Sequence, residues 1–195
     1  MKDLVRSFGR VDAGVAYQLN KTVVMVGMMG AGKTAVGGAL ARMLGVPFRD
    51  SDAEIVAAAN MGIAEIFARD GEDFFREKET RVIARLLQDR PAILSTGGGA
   101  YMSARNREMI TRDGFAVWLQ VELDLLWARV RHRDTRPLLH TDNPYETLKT
   151  LCAAREPSYA LADLTVAAQP SYSVEDMAGA VLDKLAGIPR ILEGR

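Results

Sequence analysis

The sequence predicts an α/β fold in three layers, with helices on both faces of a five-stranded parallel sheet. Short apolar runs alternate with longer segments of helical period, and this alternation is typical of a parallel sheet. A glycine-rich turn joins the first strand-like run to the first helical segment, and no repeat, linker or low-complexity stretch divides the chain. We therefore predict one domain over residues 21–188, an N-terminal extension over 1–20 and a C-terminal tail over 189–195.

The elements are predicted from hydrophobic period and from the turn residues that bound each run. The runs predicted as strands occupy residues 22–27, 46–50, 92–96, 115–121 and 164–168. The segments of helical period occupy residues 33–44, 53–60, 63–69, 73–89, 103–112, 123–131, 144–158 and 174–186. The stretch "RHRDTRPLLHTDNP" (131–144) is polar, charged and interrupted by two prolines, so we expect an exposed, mobile connection there.

Composition argues against several classes of protein. Lys plus Arg and Asp plus Glu are equal at 25 each in 195 residues, so no global positive field favours nucleic acid. No apolar run approaches the roughly 20 residues that span a bilayer, and Asp3 and Asp12 argue against a secretory signal. The single cysteine, Cys152, excludes an intrachain disulfide, and its surroundings favour packing over a nucleophilic role. We expect a cytoplasmic protein that binds neither nucleic acid nor a membrane.

The turn "GMMGAGKT" (27–34) matches the phosphate-loop pattern G-x-x-x-x-G-K-[ST] at every required position. Its glycines bring backbone N–H groups close to phosphate oxygens, and the following helix adds the positive end of its dipole. Lys33 is expected to reach the β- and γ-phosphates, and the Thr34 hydroxyl to bind Mg²⁺. The loop residues expected to contact the nucleotide are Gly30, Ala31, Gly32, Lys33, Thr34 and Ala35. The alternative, a strand-to-helix turn that binds nothing, does not explain the Lys-Thr pair.

Guanine recognition is not supported by the sequence. A GTPase carries an [NT]-K-x-D element after a later strand, whereas the near match "NKTV" (20–23) precedes the loop and lacks the aspartate. We therefore expect a nucleoside triphosphate other than GTP.

Two carboxylates follow the second predicted strand. In "FRDSDAEI", Asp50 and Asp52 alternate along an extended end, so both side chains can face one site at the edge of the sheet. One would serve Mg²⁺ through water and the other an acceptor hydroxyl. The alternative is helix capping, because Ser51 or Asp52 is a good N-cap for the segment that follows. The spacing alone does not decide between them.

Two further motifs suggest an acceptor site. In "DFFREKE", Arg76 and Glu79 share a helix face, either as a surface ion pair or with Glu79 orienting Arg76 toward an anionic substrate. In "STGGGA", three glycines (97–99) follow an apolar strand, where ligands meet an open sheet. They form either a flexible turn or a surface on which a small substrate lies against the backbone, and we favour the latter because ordering glycines costs entropy.

Taken in order, these motifs resemble the shikimate kinase family. The resemblance covers about residues 22–188 and depends on "GMMGAGKT", "DSD", "FREKE", "GGGA", "RPLL" and "AREPSY". It implies a nucleoside-monophosphate-kinase-like fold with a mobile lid over about 129–143. It also implies transfer of the ATP γ-phosphoryl group to the 3-hydroxyl of shikimate, with Mg²⁺ as cofactor. We expect a monomer.

The resemblance also implies residue roles. Arg76 and Arg155 would hold the shikimate carboxylate, and Asp52 would orient the ring hydroxyls and act as a possible base. The shikimate contacts so implied are Asp52, Arg76, Gly97, Gly98, Gly99 and Arg155. Thr34 and Asp50 would hold the metal, while Lys33, Asp52 and Arg136 would serve catalysis.

Two arginines near the lid are also assigned by the resemblance. Arg136 would close over the reacting phosphates, and Arg129 would stack on adenine. Without the resemblance, the arginines between residues 129 and 136 would be interpreted as a solvated basic stripe or a nucleic-acid patch, although no aromatic platform accompanies them. Without the resemblance, Arg155 would be interpreted as pairing with an acid on its own helix.

The chain departs from the family after the last predicted strand. "TVAAQPSYS" keeps Pro170 but has Ala167, Ala168 and Gln169 where a polar residue such as Asp is common. Gln169 is nevertheless expected to contact adenine. The alternatives to this function are another small-molecule kinase, such as a gluconate kinase, or a non-catalytic nucleotide-dependent binding protein.

Overall fold

The computed structural model describes residues 17–132, 137–139 and 141–194. The strands are β1 (Tyr17–Leu19), β2 (Thr22–Val26), β3 (Phe48–Asp50), β4 (Ile93–Ser95), β5 (Gly114–Gln120), β6 (Leu164–Ala167) and β7 (Leu192–Gly194). The helices are α1 (Lys33–Leu44), α2 (Ser51–Ala59), α3 (Ile63–Gln88), α4 (Ala104–Asp113), α5 (Leu123–Val130), α6 (Pro144–Tyr159) and α7 (Val174–Ala186). Short 3-10 turns occupy Ala100–Met102 and Pro137–Leu139. Arg136 and the first 16 residues of the predicted extension lie outside the described residues.

A five-stranded parallel sheet forms the centre of the molecule, and the predicted fold class is confirmed. The strand order is β3-β4-β2-β5-β6. Every residue of β2 is buried, and Val23 lies opposite Ile93 on one side and Phe115 on the other. This central position explains why β2 is apolar throughout rather than alternating. The carboxyl ends of the strands share one edge, where open α/β sheets bind ligands.

Helices flank the sheet and carry its loops. α1 packs against α7 and against β3 and β4, while α4 packs against α3 and β5. In the part of the chain that the structure describes, no helix combines the length and the apolar character needed to cross a membrane.

The two ends of the described chain form a structure that the sequence analysis did not predict. β1 pairs with β7 in an antiparallel ribbon, with Leu19 opposite Leu192. Leu19, Ile191 and Leu192 belong to the main hydrophobic core. Buried side chains of the domain therefore come from both sides of the predicted range 21–188. Strands of three residues carry too little period to be recognised when their partner is far along the chain.

The predicted break within the longest helical region occurs at Gly71. The structure has one helical span over Ile63–Gln88 where two helices, 63–69 and 73–89, were predicted. Gly71 interrupts the span with φ 84° and ψ 173°, a conformation that is not helical. The helical axis therefore kinks at Gly71, five residues before Arg76.

Candidate active site

The turn between β2 and α1 is a tightly packed loop. Gly27, Gly30 and Gly32 adopt positive φ angles of 138°, 81° and 91°. A Cβ atom on Gly27 would lie 2.9 Å from the carbonyl oxygen of Leu119 in β5, and one on Gly30 would lie 2.5 Å from Cγ1 of Val130 in α5. The glycines are therefore required both for backbone conformation and for close packing, as the phosphate-loop pattern predicts.

Lys33 is the first residue of α1, and its ammonium group lies inside this loop. Nζ donates hydrogen bonds to the carbonyl oxygens of Gly27 at 2.8 Å and Met28 at 3.0 Å. The side chain is buried, and its charge adds to the positive end of the α1 dipole. Phosphate oxygens are the ligands that such a loop favours.

Three oxygen atoms converge beside the loop. The Thr34 hydroxyl donates a hydrogen bond to Oδ2 of Asp50 at 3.0 Å and lies 3.2 Å from Oγ of Ser95. Mg²⁺ prefers oxygen ligands and is commonly bound by one or two protein groups together with water and substrate phosphates. The donor set fits Mg²⁺ at this position, with Thr34 and Asp50 as the protein groups nearest the phosphate loop.

Asp50 also caps α2, which corrects the capping residue considered from the sequence. Its Oδ1 accepts hydrogen bonds from the backbone N–H groups of Asp52 at 3.0 Å and Ala53 at 3.3 Å. Asp50 rather than Ser51 or Asp52 is the N-cap because it is the last extended residue, with φ −129° and ψ 119°. The two interpretations were not exclusive, since one oxygen of Asp50 caps the helix while the other contacts Thr34.

Arg76 and Glu79 form an ion pair that is not on the surface. Nη1 of Arg76 donates to Oε2 of Glu79 at 2.8 Å, and the Glu79 side chain is 0% exposed. Arg76 also contacts the exposed carboxylate of Glu72 at 3.1 Å, and its guanidinium lies 5.2 Å from the ring centre of Phe75. Burial raises the pKa of Glu79, Arg76 opposes this, and Asp52 raises it further. The alternative of a surface ion pair is therefore wrong, because Glu79 is buried and contacts the guanidinium from the protein interior.

Each of the three glycines after β4 lies against a charged side chain. A Cβ atom on Gly97 would lie 2.9 Å from Oδ1 of Asp52, and one on Gly99 would lie 2.5 Å from Nη2 of Arg76. A Cβ atom on Gly98 would lie 3.5 Å from Nη1 of Arg155. The structure thus brings the predicted acceptor residues together around one short backbone segment, and any side chain at 97 or 99 would displace them.

Arg155 and Tyr159 lie one helical turn apart on α6. Tyr159 is 1% exposed, and its hydroxyl donates a hydrogen bond to the Gly98 carbonyl oxygen at 2.5 Å. Among the described residues, Arg155 makes no ion pair with an acid, so the structure does not support the alternative of pairing on its own helix.

An open cleft of about 610 Å³ runs from the phosphate loop to the glycine segment. Its lining includes Arg129, whose Nη1 donates to the Gly30 carbonyl oxygen at 3.4 Å. The residues that line the cleft are Met29, Gly30, Ala31, Gly32, Lys33, Thr34, Ala35, Val36, Asp50, Asp52, Ser95, Thr96, Gly97, Gly98, Arg129, Ala168, Tyr172, Ser173, Val174 and Met177. Of the predicted acceptor-side residues, Asp52, Gly97 and Gly98 therefore line the same cleft as the phosphate loop, whereas Arg76, Gly99 and Arg155 lie outside its lining.

The loop after β6 meets this cleft through residues other than the one predicted. Ala168 and Tyr172 line the cavity, whereas Gln169 is exposed and outside the lining. The carbonyl oxygen of Gln169 accepts a hydrogen bond from the Tyr172 N–H at 3.1 Å, so Gln169 shapes the turn that carries Tyr172.

The sequence analysis did not single out Ser95 and Tyr172, which line the cleft, or Tyr159, which contacts Gly98. Ser95 is the first residue of "STGGGA" but also belongs to the apolar run predicted as a strand over 92–96. Tyr159 lies four residues after Arg155 in "AREPSY", a spacing that places both on one helix face. That spacing was the available signal for Tyr159, whereas Tyr172 had none.

Comparisons with known proteins identify the family. The family model for shikimate kinase matches residues 29–186. The shikimate kinase of Cereibacter sphaeroides is 61% identical over 191 residues, covering 97% of this chain and 96% of that protein. The chain belongs to the shikimate kinase family. The shikimate kinase of Ruegeria pomeroyi is 59% identical over 183 residues, covering 94% of this chain and 93% of its own.

A solved structure agrees with this assignment. Shikimate kinase from Acinetobacter baumannii in complex with shikimate has a TM-score of 0.81 and 37% identity, covering 86% of this chain and 93% of that chain. Members of the family are ATP-dependent kinases that use Mg²⁺. The chain is therefore an ATP-dependent kinase, as the phosphate loop and the motifs after it predict.

Proposed function

We propose that the chain transfers the γ-phosphoryl group of ATP to the 3-hydroxyl of shikimate, giving shikimate 3-phosphate and ADP. The observation that carries this proposal is the direct contact between the two halves of the site. A Cβ atom on Gly98 would lie 3.6 Å from both the Gly27 carbonyl oxygen and the Met29 nitrogen of the phosphate loop. A small acceptor held by the glycine segment would therefore lie beside the phosphates.

The acceptor side has the charge and size expected for a hydroxylated carboxylic acid. Arg76 and Arg155 approach the glycine segment, and a guanidinium matches a carboxylate with two parallel hydrogen bonds. Asp52 lies beside Gly97, where its carboxylate would orient the ring hydroxyl that attacks the γ-phosphate. Phosphoryl transfer needs little covalent help, so positioning supplies most of the catalysis.

On the donor side, Lys33 would neutralise the β- and γ-phosphates, and Thr34 and Asp50 would hold Mg²⁺. The metal neutralises charge that builds up on the phosphate oxygens. Arg129 reaches the loop from α5, where it would cover the nucleotide. Arg136 as the lid arginine, and Gln169 as an adenine contact, remain predictions.

A coupled assay of ADP release, with shikimate and gluconate compared as acceptors, tests the function. We expect turnover with shikimate that Lys33→Ala abolishes, which also excludes a contaminating kinase. Turnover with gluconate alone would contradict the proposal in favour of another small-molecule kinase. Nucleotide binding without turnover on either acceptor would favour a non-catalytic binding protein.

The working form is proposed to be a monomer in the cytoplasm, without a nucleic-acid or membrane partner. The equal numbers of acidic and basic residues support the absence of a nucleic-acid surface. Light scattering of the purified chain would give about 21.3 kDa for a monomer, and twice that mass would contradict it.

A further inference from the structure

The buried residue Tyr159 contacts both the glycine segment (97–99) and the phosphate loop. Its hydroxyl donates to the Gly98 carbonyl oxygen at 2.5 Å and lies 3.8 Å from Sδ of Met28 in the phosphate loop. Its ring stacks on Trp118, with centroids 6.1 Å apart and planes inclined by 26°. The ring is therefore fixed by packing, and the hydroxyl points in one direction.

The bond from Tyr159 matters because the segment it holds has no side chains of its own. A run of three glycines has wide conformational freedom, and only backbone contacts can restrict it. The Gly98 carbonyl and the Gly99 N–H belong to one planar peptide and point in opposite directions. Fixing this carbonyl toward α6 therefore also fixes the Gly99 N–H on the far side, away from Tyr159.

Arg155 lies against the same peptide. Its guanidinium lies against Gly98, since a Cβ atom there would be 3.5 Å from Nη1. Burial raises the pKa of Tyr159 to about 12, and the charge of the nearby Arg155 opposes this. The neutral hydroxyl thus donates to the Gly98 carbonyl oxygen, and the peptide that it holds is the one against which Arg155 lies.

We propose that Tyr159 is a positioning residue for the acceptor acid, because its hydroxyl fixes the Gly98–Gly99 peptide against which the Arg155 guanidinium lies. The inference rests on the proposed function. Tyr159 itself is not among the residues that line the cleft. The competing interpretation is that Tyr159 is a core tyrosine whose hydroxyl only needs a hydrogen-bond acceptor. That interpretation predicts that its removal affects stability alone.

The test compares Tyr159→Phe with a matched control, Tyr101→Phe. Tyr101 is also 1% exposed, its hydroxyl donates to a backbone carbonyl, that of Leu161 at 3.3 Å, and burial raises its pKa to about 12. Both substitutions keep the ring and remove one buried hydrogen bond, so they should lower thermal stability to a similar extent. Only Tyr159→Phe should change acceptor binding.

For Tyr159→Phe we expect KM and calorimetric Kd for shikimate to rise about tenfold, the effect of losing one well-placed hydrogen bond. KM for ATP and kcat should stay within about twofold, because the donor groups are unchanged. Unchanged shikimate affinity, or an equal loss in Tyr101→Phe, would overturn the inference. Wild-type protein that fails to use shikimate would instead overturn the proposed function.

A double-mutant cycle provides a second measurement that a purely structural role would not affect. Arg155→Lys and Tyr159→Phe are made singly and together, and shikimate Kd is measured below the melting temperature of each variant. If the hydroxyl acts by fixing the Gly98–Gly99 peptide beside Arg155, the combined loss should be clearly smaller than the product of the single losses. Multiplicative losses would show that the two residues act independently and would overturn the inference.

Discussion

At the scale of single residues, the acceptor side depends on an ion pair with one buried partner, Glu79. Arg76 contacts Glu79, which is 0% exposed, and the more exposed Glu72. Burying a charge is costly, and removing one partner leaves the other uncompensated. A single substitution in this pair therefore changes both shikimate binding and stability, and the two effects must be measured separately.

Arg76→Ala is expected to weaken shikimate binding by at least about thirtyfold, with ATP binding largely retained, because it removes one of two guanidinium groups facing the acceptor. It should also lower stability by leaving the Glu79 charge unpaired. The double variant Arg76→Ala/Glu79→Gln removes both charges and should recover stability without recovering affinity. Calorimetric titration and urea unfolding separate the two. Normal shikimate affinity in Arg76→Ala would refute the assignment.

The raised pKa of Glu79 predicts a pH dependence of acceptor binding. A carboxyl whose pKa is raised binds its proton at a higher pH than an ordinary glutamate, for which the pKa is about 4.3. As pH falls from 7 toward that value, Glu79 loses its charge and Arg76 is left to pair with Glu72. KM for shikimate should therefore rise in this range, while KM for ATP should not follow it.

Glu79→Gln is the control for this pH effect. The variant should already have a raised KM for shikimate at pH 7, and the acid-side increase attributed to Glu79 should disappear. An identical acid-side increase in Glu79→Gln would show that another group titrates. Steady-state kinetics from pH 5 to pH 8 decide between these outcomes.

At the scale of elements, the main strands and helices were predictable because their hydrophobic runs agree with their burial. The five strands of the parallel sheet and α1, α6 and α7 lie within a few residues of the predicted ranges. The interruption of α3 was also visible, since Gly71 breaks the helical pattern. The start of α2 was less accurate because the capping group is a carboxylate shared with the phosphate loop, which sequence spacing does not reveal.

Two glycines in helical surroundings should respond to alanine in opposite directions. A Cβ atom would meet nothing within 4 Å at either Gly71 or Gly179. Gly71 has φ 84°, so Gly71→Ala should lower the free energy of unfolding by about 1–3 kcal/mol. Gly179 lies inside α7, so Gly179→Ala should raise it by about 0.5–1 kcal/mol. Urea unfolding measures both, and equal effects would show that the kink at Gly71 carries no strain.

At the scale of the whole molecule, the sequence predicted the fold class and the two halves of the site more completely than their connections. Motifs on loops were visible because glycines, charges and spacing mark them. The contact between Tyr159 and Gly98 was not, because a backbone carbonyl leaves no mark in the sequence and lies 61 residues away. The pairing of β1 with β7 was missed for the same reason, since the partners come from opposite ends of the described chain.

The terminal ribbon is expected to stabilise the domain without taking part in catalysis. Leu19 and Leu192 are register partners and are 7% and 1% exposed, so Leu19→Ala and Leu192→Ala should each cost about 2–5 kcal/mol. Because the two leucines are register partners, the double variant should lose less than the sum of the single losses. Glu193→Ala, on the exposed side of β7, is the control and should change stability by at most about 0.5 kcal/mol. Urea midpoints unchanged in the leucine variants would show that the ends lie outside the cooperative fold, and KM for both substrates should stay constant throughout.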